Sequence, residues 1–157
     1  KVWVMLRDVP RSSKVSLVSR ETIRFVGYDA ALNGAGGIWY APELSTAAAG
    51  SIGEMRAMAP VFARGRAIPL PFEAPTEGWM ARAWTYHGRD YLVLANRTKD
   101  RQWKVPEEAL ASSWRPLFEA RRDPRELLKK HQDAYYLKPY QVLVLESRMR
   151  PKRLLGR

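Results

Sequence analysis

The chain has 157 residues, 46% of them apolar and 11% aromatic, which is enough for a buried core and argues against extended disorder. Lys and Arg number 27 against 16 Asp and Glu, a formal charge of +11 that favours anionic partners. No stretch of the sequence is apolar for long enough to span a bilayer, and with no cysteine both a disulfide framework and a thiolate metal site are excluded.

In chain order, Lys1 to Leu6 is a basic residue followed by a continuous apolar run, the pattern of a buried parallel strand. A strand at the very first residue leads to the expectation that further polypeptide precedes it. A polar loop, residues 7–18, follows. Ser19 is a good helix N-cap and Glu21 in the first turn suits the helix dipole. Ile23, Val26, Ala30 and Ala31 fall on one helical face, and Asn33-Gly34 ends the helix. Ala35 to Tyr40 reads as the next strand, completing a βαβ unit with a parallel sheet. A second helix over Ser51 to Arg64 carries Ile52, Met55, Met58 or Ala59, and Phe62 at helical spacing. Two strands make neither a closed barrel nor an open α/β sheet, so their partners are expected from an upstream segment or a partner chain.

The texture then changes. Residues 69–78, with Pro69, Pro71, Pro75 and Gly78, form a linker that can be neither helix nor central strand. Trp79 to Tyr86 alternates, His87-Gly88-Arg89-Asp90 turns, and Tyr91 to Asn96 is a buried strand, so 79–96 is a hairpin. Gln102 to Val105 and Trp114 to Glu119 are further strands. Pro124 starts a short helix or loop excursion within the charged stretch 121–133, and Tyr140 to Glu146 is the last strand. Short strands with turns between them point to a small antiparallel β-sandwich. The expected division is 1–68 α/β, 69–78 linker, 79–147 β-sandwich and 148–157 a basic tail. Before that tail the arginines are spread along the chain rather than clustered, which reads as a solvated basic surface.

Two stretches carry a family resemblance. The run Ser19, Glu21, Arg24, Tyr28, Ala30, Gly34, Ala35, Gly37, Ile38, Tyr40 resembles the last helix and eighth strand of glycoside hydrolase barrels. The segments Tyr91 to Thr98 (YLVLANRT) and Leu137 to Glu146 (LKPYQVLVLE) are similar to the β-sandwich appended to many such hydrolases. The resemblance implies an α/β followed by all-β architecture: the final βαβ portion of a (β/α)8 barrel, then the sandwich. It also implies an upstream barrel segment holding most of the active site, at the C-terminal ends of its strands. Glycoside hydrolysis there typically uses two carboxylates. If Val2 to Leu6 is the seventh strand, its exit carries Arg7 and Asp8 where the commonest clan has Glu. Asp8 is then a short substitute, or the register of the strand is a different one, or the barrel is inactive or of another clan.

On this reading Trp39 and Tyr40 leave the eighth strand at the catalytic face, where an aromatic ring can stack on a sugar. Ordinary barrel packing is the alternative, and strand alternation turns only one of the two inward. Glu43 in the following loop is a candidate acid or sugar ligand, and Arg7 and Asp8 could pair with each other or hold an anionic sugar. Gly34, Gly36 and Gly37 precede a strand instead of following one, so no dinucleotide fingerprint is present. Neither His87 and His131 nor Ser12, Ser13 and Ser16 have the spacing of a metal or nucleophile site, and no cofactor is expected. Trp79, Trp84, Trp103 and Trp114 are either sandwich core or a carbohydrate platform. The expected partner is an oligo- or polysaccharide, neutral or anionic. The activity is hydrolysis of glycosidic bonds, with non-catalytic carbohydrate binding as the alternative. Nucleic-acid binding has the charge in its favour but no recognisable motif.

Overall fold

The computed structural model describes residues 3–6, 20–40, 46–73, 78–121 and 123–147; for 3–6, 39–40 and 46–48 the description is of the backbone alone. The elements run β1 (Trp3–Leu6), α1 (Arg20–Leu32), β2 (Gly37–Tyr40), α2 (Thr46–Arg64) and β3 (Arg66–Ile68). There follow β4 (Trp79–Tyr86), β5 (Arg89–Asn96), β6 (Trp103–Lys104), β7 (Trp114–Pro116), β8 (Lys129–His131), β9 (Ala134–Leu137) and β10 (Val142–Ser147), with 3-10 turns at Glu107–Leu110 and Pro124–Leu127. β1 and β2 pair in parallel, from Trp3 opposite Gly37 to Leu6 opposite Tyr40. The other sheets are antiparallel: a five-stranded one in the order β3-β4-β5-β10-β7, and a three-stranded one in the order β6-β9-β8.

The large sheet is covered on both faces. Phe25, Tyr28 and Leu32 of α1 and Met55, Met58 and Val61 of α2 meet Trp84, Val93, Ala95, Val142 and Val144 on one face. On the other, Leu92, Leu94, Leu143 and Leu145 pack with Trp79, Val105, Leu110 and Leu137 between the two sheets. This double cover explains why β5 and β10 read as unbroken apolar runs, since every residue from Leu92 to Ala95 and from Val142 to Leu145 is buried. Each fully buried Leu or Val contributes about 1.5–3 kcal/mol. β4, closer to the edge, alternates instead: Trp79, Ala81 and Ala83 face the small sheet, Met80, Trp84 and Tyr86 the helices.

α1 lies against β1 and β2 as well as the large sheet. The stripe expected from the sequence is therefore half of its buried surface. Ile23 and Ala30 are buried, and so is the opposite face, Phe25, Tyr28 and Leu32. The helix ends as expected: Gly34 takes φ +82, its N–H donates to the Ala31 carbonyl, and Ala35 N–H donates to the Ala30 carbonyl, a Schellman cap. α2 begins earlier than the apolar spacing indicated, at Thr46, and turns Met58 inward while Ala59 stays exposed.

The hairpin of β4 and β5 turns on two residues, His87 and Gly88, both at positive φ as a type I′ turn requires; Arg89 already pairs with Tyr86. Tyr140 is not in the last strand but at φ +55 before it, and β10 starts at Val142. Two features escaped the sequence pattern. β3 is a three-residue edge strand, and the β8–β9 hairpin begins with Lys129, Lys130 and His131, all exposed and without an apolar face to betray it. Of the four sandwich tryptophans, Trp79 and Trp84 are buried, in the two different cores. Trp103 stacks on Trp79 at 6.1 Å, and Phe72, in the proline-rich stretch, also stacks on Trp79 at 6.1 Å.

Candidate functional site

Three regions are candidates. The first is the end of the parallel pair. β1 and β2 finish side by side at Leu6 and Tyr40, with Met5 opposite Trp39. Arg7, Asp8 and Glu43 lie outside the described residues, as do the side chains of Trp39 and Tyr40, so only the backbone positions of these last two are fixed.

The second is an open groove of about 790 Å³ at the opposite end of β2, between Gly34–Ile38, α2 and β4. Ile52, Met55, Phe62 and Trp84 make its walls apolar, and Phe62 meets Trp84 edge to face at 5.3 Å. Arg56 and Arg82 line it too, and neither has an ion-pair partner among the described residues.

The third lies on the helix-side face of the large sheet, at its His87 end. Register places Glu146 of β10 between Tyr91 of β5 and Arg115 of β7, and Tyr86 of β4 beside Arg89 of β5. Arg89 Nη1 donates to Glu146 Oε1 at 2.6 Å; Arg115 donates to Oε2 from Nη2 at 2.6 Å and from Nε at 3.1 Å. The Tyr91 hydroxyl donates to Oε1 at 3.5 Å. The Glu146 side chain is 3% exposed, the two arginines 56% and 46%. Burial pushes the Glu146 carboxyl up, but the hydrogen bonds and charges of Arg89 and Arg115 outweigh it and hold it below the ordinary carboxylate value. Burial pushes the Tyr91 phenol up, and the Glu146 charge adds to it. These arginines are distant in sequence, so the fold gathers a charge that the sequence shows only as dispersed.

The described carboxylates that are buried are held by basic or polar neighbours. Glu54 accepts from Arg24 Nε at 2.6 Å, and Asp90 accepts from Thr85 Oγ1. Asp29 Oδ1 lies 3.0 Å from Arg97 Nε in a charge contact whose angle is too bent for a hydrogen bond. Among the described residues no three His, Asp or Glu side chains come together as a metal site, and no helix is long and apolar enough to cross a membrane.

Four of the residues that carried the family resemblance have structural roles. Arg24 joins α1 to α2 and to the Val142 carbonyl, Tyr28 is fully buried, Gly34 caps a helix, and Asn96 ties three chain segments together.

No family model matches the sequence, and no curated protein does. Among solved structures, a GH27 β-L-arabinopyranosidase from Geobacillus stearothermophilus, in complex with arabinose, is similar over 90% of this chain and 34% of its own, with 16% identity and a TM-score of 0.52. An α-amylase from Geobacillus thermoleovorans, complexed with acarbose, matches over 84% of this chain and 34% of its own, with 15% identity and a TM-score of 0.49. Both are glycoside hydrolases. The chain spans about a third of the length of these structures, and at such identity the first likeness is one of fold.

Proposed function

We propose that the chain is the closing part of a carbohydrate-active barrel protein, whose remaining strands come from an upstream segment or a partner chain. In this reading β1, α1, β2 and α2 are the last units of a (β/α)8 barrel, and the antiparallel sheets are an accessory sandwich that braces it. The observation that carries the reading is the arrangement of α1. It links two parallel strands and buries its opposite face on the large antiparallel sheet, so the βαβ unit and the sandwich share one helix. Parallel pairs belong to larger sheets covered on both faces, so further strands are in keeping with this unit. The fold likeness to the arabinopyranosidase over 90% of the chain supports the same order.

The sugar would lie at the end of β1 and β2, against Trp39 or Tyr40, with Arg7, Asp8 and Glu43 as its polar contacts. Glycosidic hydrolysis would draw its main carboxylates from the rest of the barrel. Binding without hydrolysis is favoured by one observation: the buried carboxylates described here are committed to Arg or Thr partners. The test is native mass spectrometry of the protein purified from its source, then titration with neutral and acidic oligosaccharides. A species larger than this chain, with saturable sugar binding that Trp39→Ala weakens, is expected. A folded single chain that binds no saccharide would overturn the proposal.

A further inference from the structure

The open groove at the start of β2 is built by both halves of the chain. Gly34–Ile38 and α2 come from the βαβ unit, Arg82 and Trp84 from β4 of the large sheet. Its apolar lining is incompletely covered. Ile52 and Phe62 are only half-buried, and Ala59 and Ala63 are exposed. Ile52, Ala59 and Ala63 follow helical spacing, so α2 carries a second apolar stripe beside the one it buries through Met58 and Val61. Arg56 and Arg82 line the same groove, both exposed, and neither has an ion-pair partner among the described residues. β2 has one strand neighbour among the described residues, β1, so one of its edges is unpaired, and the chain enters β2 at the groove through Gly36 and Gly37. Neither glycine has a side chain to keep a second backbone away.

We infer that this groove seats an extended apolar segment of the remaining barrel polypeptide, which lies along β2 and gives a carboxylate to Arg56 and Arg82. The inference rests on the barrel reading above and adds where that polypeptide docks and what it has to carry. An open groove beside an unpaired strand edge suits main-chain pairing with alternate side chains set into the apolar wall. Two unpaired guanidinium groups in that wall call for an acid, which selects the right segment more than it tightens the contact. Arg82 and Trp84 belong to β4, so the segment touches the sandwich as well as the βαβ unit, and the sandwich helps to hold the barrel closed. A second copy of this chain is the poorer occupant, because two chains of charge +11 repel each other.

The test uses the protein at full length, together with any polypeptide that co-purifies with it. Arg82→Lys and, separately, Arg56→Lys keep the positive charge and supply an amine that a zero-length carbodiimide joins to a carboxylate in contact with it. Mass spectrometry of the digest is expected to find that amine coupled to an Asp or Glu outside these 157 residues, within an apolar stretch. Arg56→Glu combined with Arg82→Glu should lower the urea midpoint of the full protein, and changing the coupled acid to Arg should recover most of the loss. The inference is overturned if both lysine variants couple only within these residues or to a second copy of them, if neither couples, or if the acid-to-Arg change recovers nothing. Should a larger species keep saccharide binding that Trp39→Ala weakens while neither variant couples outside the chain, this inference fails and the barrel reading stands. If the protein is a folded single chain of this length that binds no saccharide, both fail.

Discussion

Arg24 Nε lies 2.6 Å from Glu54 Oε2, and the same guanidinium reaches the Val142 carbonyl from Nη1 at 2.7 Å. One side chain thus ties α1 to α2 and to β10, an interior strand of the large sheet. Both partners are largely buried, at 14% and 7% exposure, and Arg20 approaches Glu54 only to 3.8 Å. Removing one member of a buried pair strands the other charge. Arg24→Ala should cost about 3 kcal/mol, near the lower end of what such losses cost, and Arg24→Lys nearly as much because one ammonium cannot reach both acceptors. Replacing both by apolar residues, Arg24→Met with Glu54→Leu, should recover much of the loss. Urea denaturation of the single and double variants measures this, and additive costs would show that the pair is not coupled.

Glu146 makes a prediction about pH. Its folded-state value is held below the ordinary 4.5, so the ionised form favours folding at every pH above about 4.5. That contribution fades as pH falls through the depressed folded value. Stability should therefore drop on acidification below about pH 4.5, and Glu146→Gln should be less stable at neutral pH and less sensitive to acid. Tyr91 acts at the other extreme. Its raised value means that the unfolded chain loses the phenol proton first, so stability should decline above about pH 10, and Tyr91→Phe should flatten that limb. Thermal melts across pH 2 to 11 read both effects.

How far the sequence can be read depends on where each element's neighbours come from. β5 and β10 are legible because a strand covered on both faces has to be apolar throughout, and Leu92 to Ala95 and Val142 to Leu145 are. The Gly34 cap and the Pro124 turn are legible because only local backbone chemistry decides them. α1 is half legible: a helix buried on two sides has no single stripe, so Phe25, Tyr28 and Leu32 are masked by the face that holds Ile23 and Ala30. The cluster at Glu146 is illegible, because Arg89 and Arg115 are 57 and 31 residues away from it and strand register alone brings them together. Trp39 is placed by β2, in which it pairs with Met5, but the chemistry of its side chain is not fixed by that position.

Asn96 has its hydrogen-bonding capacity fully engaged. Its Nδ2 donates to the carbonyls of Arg101, Leu137 and Lys138, and its Oδ1 accepts from the backbone N–H and the hydroxyl of Thr98. The side chain is wholly buried, so the YLVLANRT segment ends in a staple between the β5 exit and the approach to β10. Asn96→Ala should cost about 2–3 kcal/mol through the unsatisfied groups left behind. Asn96→Asp should cost more despite its near-identical shape, because a carboxylate would face three carbonyl oxygens. Urea denaturation of both variants decides it; an aspartate variant more stable than the alanine one would show that another group takes over the donor role.

The two cores meet on β10. Leu143 and Leu145 fill the space between the sheets, while Val142 and Val144 face the helices, so each core depends on the strand that the other positions. A cavity on one side should therefore be felt on the other. Leu143→Ala, at a site 1% exposed, should cost about 2–5 kcal/mol. It should lower the unfolding midpoint equally whether followed by far-ultraviolet ellipticity, dominated by α1 and α2, or by tryptophan fluorescence, to which Trp79 and Trp103 between the sheets and Trp84 on the helix side contribute. Coincident transitions would mean that the helical segment and the sandwich unfold as one cooperative unit. If ellipticity persists while the tryptophan signal is lost, the helices hold without the sandwich, and the shared face of α1 contributes less to stability than its burial indicates.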